Sequence, residues 1–283
     1  MILLLLTLQS IPTVTLTGTF HSPRVKESSG IAVSRAHSGV LWTHNDSGDD
    51  AYVYATDLAG ADGGFVRIGG ARAIDWEDIA LGPCPIVHGA CLYIADTGDN
   101  ERRRKSVVIY AVTEPDPPGK GRGPVRSASA ALLRLRYAGG PDDVEAMYVS
   151  PRDSALYLVS KGRSGVVRLY RVPPTAWGGD TTITISALEQ LPIAPFAPLG
   201  RLVTGAAIRS DGRLVAVRTY TEIYTFVPDA GGRLKPSGRP VCNVTGLELQ
   251  GEAIDFLDDS TFVLTGEADR RGRGPIHTVR CPD

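Results

Sequence analysis

Trp76-Glu77-Asp78-Ile79-Ala80-Leu81 decides the fold, because the chain repeats it. Glu145-Ala146-Met147-Tyr148-Val149 and Glu252-Ala253-Ile254-Asp255-Phe256 follow the same pattern, and Ser29-Gly30-Ile31-Ala32-Val33 and Ala206-Ala207-Ile208-Arg209-Ser210 are weaker copies. Each reads as a short strand that opens with a small or acidic residue. A second apolar run follows every copy, and then a third that holds Tyr54, Tyr110, Tyr170, Tyr224 or His277. Ser29 to Tyr54, Glu145 to Tyr170 and Glu252 to His277 are each separated by 25 residues. Self-similarity of this kind marks a repeat architecture.

The markers at 29, 77, 145, 206 and 252 lie 48, 68, 61 and 46 residues apart. Each interval has room for four antiparallel strands of about five residues with their turns, which is one propeller blade. Fourth, outer strands are expected at 64–68, 131–137, 181–186 and 240–244. The fifth copy has only three strands before the chain ends, and an unassigned strand at 13–20 is available to complete it. Joining the two ends in one blade removes two exposed sheet edges. The expectation is an all-β, five-bladed β-propeller, a single domain over 11–283, its ring closed by the N-terminal strand. Six blades are the alternative, since the two long intervals have room for further strands.

Composition agrees with short strands and turns. Gly 32 and Pro 20 in 283 residues leave few stretches free for three helical turns. A formal net charge of -1 lacks the basic footprint of a nucleic-acid binder, so no nucleic-acid partner is expected. After the first few residues no apolar run approaches the length of a membrane span. Residues 1–10 begin MILLLLTL and read as an export leader, or else as a buried first strand. Four cysteines, with Cys84 and Cys91 flanking a hairpin-length loop, suit disulfides Cys84–Cys91 and Cys242–Cys281 in a secreted or periplasmic protein; four buried thiols are the other reading.

In a propeller the first strand of each blade lines the axis, so aligned residues at its start converge. The converging set is Ser29, Glu77, Glu145, Ala206 and Glu252, and Glu27, Asp75, Asp78, Asp142 and Asp143 crowd the same end. The turns after the second strands bring His44, Asn45, Asp46, Asp49, Asp96, Asp99, Lys161, Arg163, Arg218, Glu267 and Asp269 to that rim. Several carboxylates in one narrow space either raise their pKa or recruit a cation. Oxygen-only ligands favour Ca2+ over zinc. The expected metal ligands are Ser29, Glu77, Glu145 and Glu252; the plainer reading has these Glu side chains capping backbone N–H groups or pairing with Arg.

Glu27-Ser-Ser-Gly-Ile-Ala32, Trp76-Glu-Asp-Ile-Ala-Leu81, Val144-Glu-Ala-Met-Tyr-Val149 and Gly251-Glu-Ala-Ile-Asp-Phe256 resemble the blade openings of calcium-dependent propellers. The calcium-activated apyrases, the phytase and esterase-like phytase propellers, and the gluconolactonase and paraoxonase propellers are similar in this respect. The apyrase ring maps onto Ser29, Glu77, Glu145 and Glu252, and Ala206 departs from it. The resemblance implies a Ca2+ cofactor and hydrolysis of phosphate or carboxylic esters or lactones. Asp46 or Asp96 would then accept a proton and His44 serve as acid or base. Lys161, Arg218, Asn45 and Tyr220 would hold the substrate. His44 in its apolar strand also reads as a core residue, and Arg102 to Lys105 as a solvated loop. A non-catalytic propeller that binds a small molecule or glycan on its acidic rim, with Ca2+ structural, is the alternative function. A lyase on acidic sugars, using Tyr220, His44 and Arg218, is a third. The chain is expected to be monomeric.

Overall fold

The computed structural model describes residues 11–268 and 272–282. The leader expected over 1–10, and Asp269 on the rim, lie outside the described residues. The chain starts at β1 (Thr13–Thr19) and then builds blade one from β2 (Ser28–Val33), β3 (Leu41–Asn45), β4 (Tyr52–Thr56) and β5 (Phe65–Gly69). Blade two holds β6 (Trp76–Pro83), β7 (Ala90–Asp96), β8 (Val107–Thr113) and β10 (Ala131–Tyr137), with β9 (Val125–Ser129) leaving it between the last two. Blade three comprises β11 (Val144–Val149), β12 (Leu156–Ser160), β13 (Val167–Val172) and β15 (Ala187–Leu191), and β14 (Ile183–Ile185) departs before its outer strand. Blade four runs β16 (Val203–Ile208), β17 (Val215–Thr219), β18 (Glu222–Pro228) and β19 (Leu234–Pro236), with β20 (Cys242–Asn243) also on β18. Blade five joins β21 (Gly251–Phe256), β22 (Thr261–Gly266) and β23 (Pro275–Arg280) to β1, which pairs antiparallel with β23.

The protein is therefore an all-β, five-bladed propeller closed by its N-terminal strand. The third-strand markers Tyr54, Tyr110, Tyr170, Tyr224 and His277 fall in β4, β8, β13, β18 and β23. The six-bladed alternative is overturned, and the two long intervals have a different cause. In each, the chain lends a strand back to the preceding blade: β9 runs parallel on the edge of β5, and β14 parallel on the edge of β10. The segment 181–186, expected as blade three's outer strand, thus belongs to blade two, and β15 takes that place.

Five buried apolar clusters fill the five gaps between neighbouring blades. Trp42, Val66, Leu92 and Ile94 join blades one and two; Tyr93, Leu133, Met147 and Leu158 join two and three. Tyr148, Leu169, Val215 and Phe226 join three and four, Ile223, Cys242, Ile254 and Leu264 four and five, and Ile31, Tyr54, Val263 and Ile276 five and one. Among the described residues no blade has a core of its own. Sheets buried on both faces lose the alternation of a half-exposed strand, which is why β11 is buried at every position.

Both expected disulfides, Cys84–Cys91 and Cys242–Cys281, are formed. The first closes 7 residues at the β6–β7 hairpin, and the second closes 39 residues and ties blade four to the end of blade five. Chain-entropy arguments give a larger stabilisation for the longer loop, about 4 against about 2 kcal/mol. Denaturant unfolding of the Cys242→Ser/Cys281→Ser and Cys84→Ser/Cys91→Ser variants checks this, with the greater loss expected for the first pair.

Candidate functional site

Every inner strand carries a β-bulge at its second position. The register of β2 on β3 shifts between Ser28 and Gly30, and the same shift occurs between Trp76 and Asp78, Val144 and Ala146, Val203 and Gly205, and Gly251 and Ala253. The bulged residues are therefore Ser29, Glu77, Glu145, Thr204 and Glu252. A bulge leaves one residue outside the ladder and re-aims its side chain. In blade four the expected ring residue, Ala206, matches Ile79 and Met147, two residues beyond the ring position, which Thr204 holds. An oxygen-bearing side chain is thus present in all five blades. Two of them lace the ring, since Ser29 Oγ donates to Glu77 O of the next blade at 2.8 Å and Thr204 Oγ1 to Gly251 O at 3.1 Å.

The residue after the bulge is Gly30, Ala146, Gly205 or Ala253 in four blades, because it faces the neighbouring inner strand. A Cβ on Gly30 would lie 2.6 Å from Ile79 N, and one on Gly205 2.7 Å from Glu252 O. Blade two has Asp78 instead, fully buried. Its carboxylate accepts N–H bonds from Ile79 at 2.8 Å, Met147 at 2.7 Å and Ala206 at 3.4 Å, so one side chain pins blades two, three and four. Beyond it the axis narrows to a cavity of about 20 Å³, room for about one water, next to Asp255.

Above Asp78 the structure gathers the carboxylates in two overlapping triads. Asp46, Asp75 and Glu77 bring one oxygen each within 4.8 Å of one another, and Glu77, Asp143 and Glu145 do the same. Glu77 belongs to both. Gly98, in the Asp96-Thr-Gly-Asp99 turn, makes the approach possible: a Cβ there would overlap Glu77 Oε1 and Asp75 Oδ2.

The two triads differ in how their charge is met. Lys161 Nζ lies 2.7 Å from Glu145 Oε1, while Asp143 takes Arg163 Nε at 3.2 Å and Asp99 N at 3.0 Å. Asp46 Oδ1 is buried with no hydrogen-bond partner. Among the described residues neither Asp46, Asp75 nor Glu77 forms an ion pair, although the Arg104 guanidinium is near enough to Asp75 to oppose its rise. Burial, then Glu145 and Asp46, raise Glu77 well above the ordinary glutamate range. Burial and Asp75 lift Asp46 to about 7, and burial outweighs Lys161 to hold Glu145 up at about 8. Burial pulls Lys161 down, but Glu145, Tyr220 and Glu77 override it and hold the ammonium above its usual range. An orphaned oxygen, carboxylates crowded beyond what the local cations neutralise, and an all-oxygen donor set together fit a hard divalent cation.

The remaining expected residues are placed as follows. Glu252, in neither triad, accepts Gln250 Nε2 at 2.8 Å, and burial lifts it to about 7. His44 is fully buried and packs edge-on against Trp76; burial lowers it to about 4, so its imidazole is neutral at neutral pH. Asn45 accepts Lys26 and Glu27 N–H groups and donates to Arg24 O and Asp49 Oδ2. Asp96 pairs with Arg104 at 2.7 Å and leaves its second oxygen without a partner. Arg218 is buried between blades four and five, where it holds Glu248 and the carbonyls of Ala253 and Thr265. Tyr220 is half-buried beside Lys161. The structure thus gathers Asp46, Glu77, Glu145 and Lys161 with Asp75 and Asp143, and sets His44 and Arg218 apart from them in the packing between blades.

The sequence matches no family model and no curated protein. Among solved structures, the PQQ-bound aldose sugar dehydrogenase of Streptomyces coelicolor aligns over 95% of this chain and 98% of its own, with TM-score 0.50 and 13% identity. The β-propeller domain of Myceliophteria thermophila Cps50 (Swd1) aligns over 94% and 99%, with TM-score 0.45 and 15% identity. A structure of a nidogen/laminin complex aligns over 86% and 73%, with TM-score 0.49 and 14% identity. At such identities the likeness concerns the fold. The class is that of the five-bladed propellers, here with an acidic axial well.

The raised carboxyls fix a sign for the pH dependence. Groups whose folded pKa exceeds the unfolded value stabilise below the unfolded pKa, near 4, and that stability is lost as pH rises through the folded value. Asp46, Glu252 and Glu145 place that loss between about pH 4 and about 8. The lowered carboxyls, Asp153, Asp211 and Glu248 among them, act only on the acid side of that window, whereas His44, lowered to about 4, adds stability as pH rises from about 4 to its unfolded value near 6.5 and offsets part of the loss there. Thermal melts in a chelator are expected to fall by several degrees from about pH 6.5 to about pH 8, above the unfolded histidine pKa, and added Ca2+ to abolish most of the fall.

Proposed function

We propose that this is an exported, monomeric propeller that binds Ca2+ in its axial well and acts as a Ca2+-dependent hydrolase of phosphate or carboxylic esters or lactones. The observation that carries the reading is the triad Asp46–Asp75–Glu77, whose charge no ion pair meets among the described residues. Glu77, common to both triads, is the fixed ligand, and Asp75 joins it. Asp46 and Asp75 are only half-buried, so the cation would be reached from the rim. Ca2+ takes six to eight oxygens, so these carboxylates leave positions for water and for a ligand's oxygens.

When bound, the cation supplies polarisation of a phosphoryl or carboxyl oxygen. Asp46 Oδ1, unpartnered and on a carboxyl held near 7, is suited to accept a proton from water. Lys161 is anchored on Glu145 beside Tyr220, and these two side chains would contact an anionic ligand in the well. Two disulfides support export. Among the described residues no helix is long and apolar enough to cross a membrane.

A second reading, a binding propeller in which Ca2+ is structural and the ligand a small molecule or glycan, is favoured by one observation. Arg218 and His44, two groups the chemistry would use, are shut inside the protein. Turnover of phosphate esters, nucleotides, lactones and aryl esters, with Ca2+ and with chelator, separates the two. Glu77→Gln is expected to remove the Ca2+-induced rise in Tm and to reduce any turnover by at least about a hundredfold. Asp46→Asn reports its role: loss of turnover with the Ca2+ stabilisation kept marks a proton acceptor. Full turnover in chelator would sink the hydrolase reading.

A further inference from the structure

Beside the acidic well, on the outer side of blade two, the loop that leads into β8 and the end of β10 enclose a crevice of about 450 Å³. That size lies within the range of small-molecule sites, about 300–1,000 Å³. Val107, Tyr137 and Pro141 line it, so its floor is apolar. Tyr137 is itself packed into the core between blades two and three against Tyr170, so this part of the floor is rigid. Arg104, held on Asp96 and on Gly98 O, forms the wall toward the axial well.

The rim carries the second signature. Lys105 and Arg136 both line the crevice and both are exposed. Arg136 Nε donates to Lys105 O at 3.3 Å, which holds the two cationic residues on one edge. Neither forms an ion pair among the described residues, whereas the neighbouring Arg103 and Arg104 are each 2.7 Å from a carboxylate. Two adjacent cations without an acidic partner, at the mouth of an apolar crevice, complement one kind of ligand. The charge attracts an anionic head, and the floor gains from burying an apolar body at about 25 cal/mol per Å².

We propose that this crevice is a binding site for a small amphipathic anion, its carboxylate or phosphate head against Lys105 and Arg136 and its apolar body on Val107, Tyr137 and Pro141. The site does not depend on whether the axial well takes a cation. Isothermal titration of the whole protein with three probes tests it: octanoate, octan-1-ol, which has the body without the charge, and acetate, which has the charge without the body. Octanoate is expected to bind saturably at one site, at least about tenfold more tightly than either of the others.

Lys105→Glu/Arg136→Glu, at two exposed positions, is expected to weaken octanoate by at least about tenfold. Ala138→Trp, which fills the crevice from an exposed position, is expected to block it. Both variants should keep the Ca2+-induced rise in Tm of the parent. Equal affinity for octanoate and octan-1-ol would overturn the proposal. So would undiminished octanoate binding by either variant, or no saturable binding of octanoate.

Discussion

Carboxylates gathered out of water must be met by protons, by cationic side chains or by a metal ion, since desolvation and mutual repulsion both act against their charge. At the axial end of this propeller, cationic and amide side chains meet most of that charge. Lys161 meets Glu145, Arg163 meets Asp143, Arg104 meets Asp96, and Gln250 hydrogen-bonds both Glu252 and Glu267. What is left over is Asp46, Asp75 and Glu77, with one oxygen of Asp46 buried and unpaired. That remainder is the position proposed for the cation, and Asp46 and Asp75 are its half-buried members.

The fold makes the crowding unavoidable. Each blade shares its apolar faces with two neighbours, so the inner strands are drawn together around the axis whatever charge they carry. A bulge at the second position of every inner strand then turns one side chain out of the ladder at the same height. Where the next residue is Gly or Ala the strands close up. Where it is Asp78, its carboxylate binds three inner strands by their N–H groups, a fixed buried acceptor directly beneath the acidic well.

Much of this was legible in the sequence, for a definite reason. Inner strands buried on both faces repeat a short apolar signature, and the third-strand aromatics give a second register mark, so blade number and ring closure followed from spacing. The strands β9 and β14 were hidden because they pair with a blade other than the one whose interval they occupy, and pairing partners have no local signal. The bulges were hidden as well. Val203-Thr-Gly-Ala-Ala-Ile208 aligns with Trp76-Glu-Asp-Ile-Ala-Leu81 without a gap, yet without the bulge nothing singled out the second residue, and Ala206 was matched by resemblance of small side chains. Asp75 and Asp143 are legible as crowding the rim, but the approach of Asp75 to Glu77 depends on the Gly98 turn, which spacing does not reveal. His44 and Arg218 were expected in the turns at the rim, but they lie within β3 and β17 and their side chains pack between blades.

The proposed function requires a cation against Glu77 and Asp75. A crystal grown with Ca2+, with anomalous differences recorded to locate the ion, tests this directly. One strong peak bonded to Glu77 and Asp75 is expected, with Lys161 still on Glu145. An axial well without a peak at saturating Ca2+, or an ion bound only elsewhere on the surface, would contradict it.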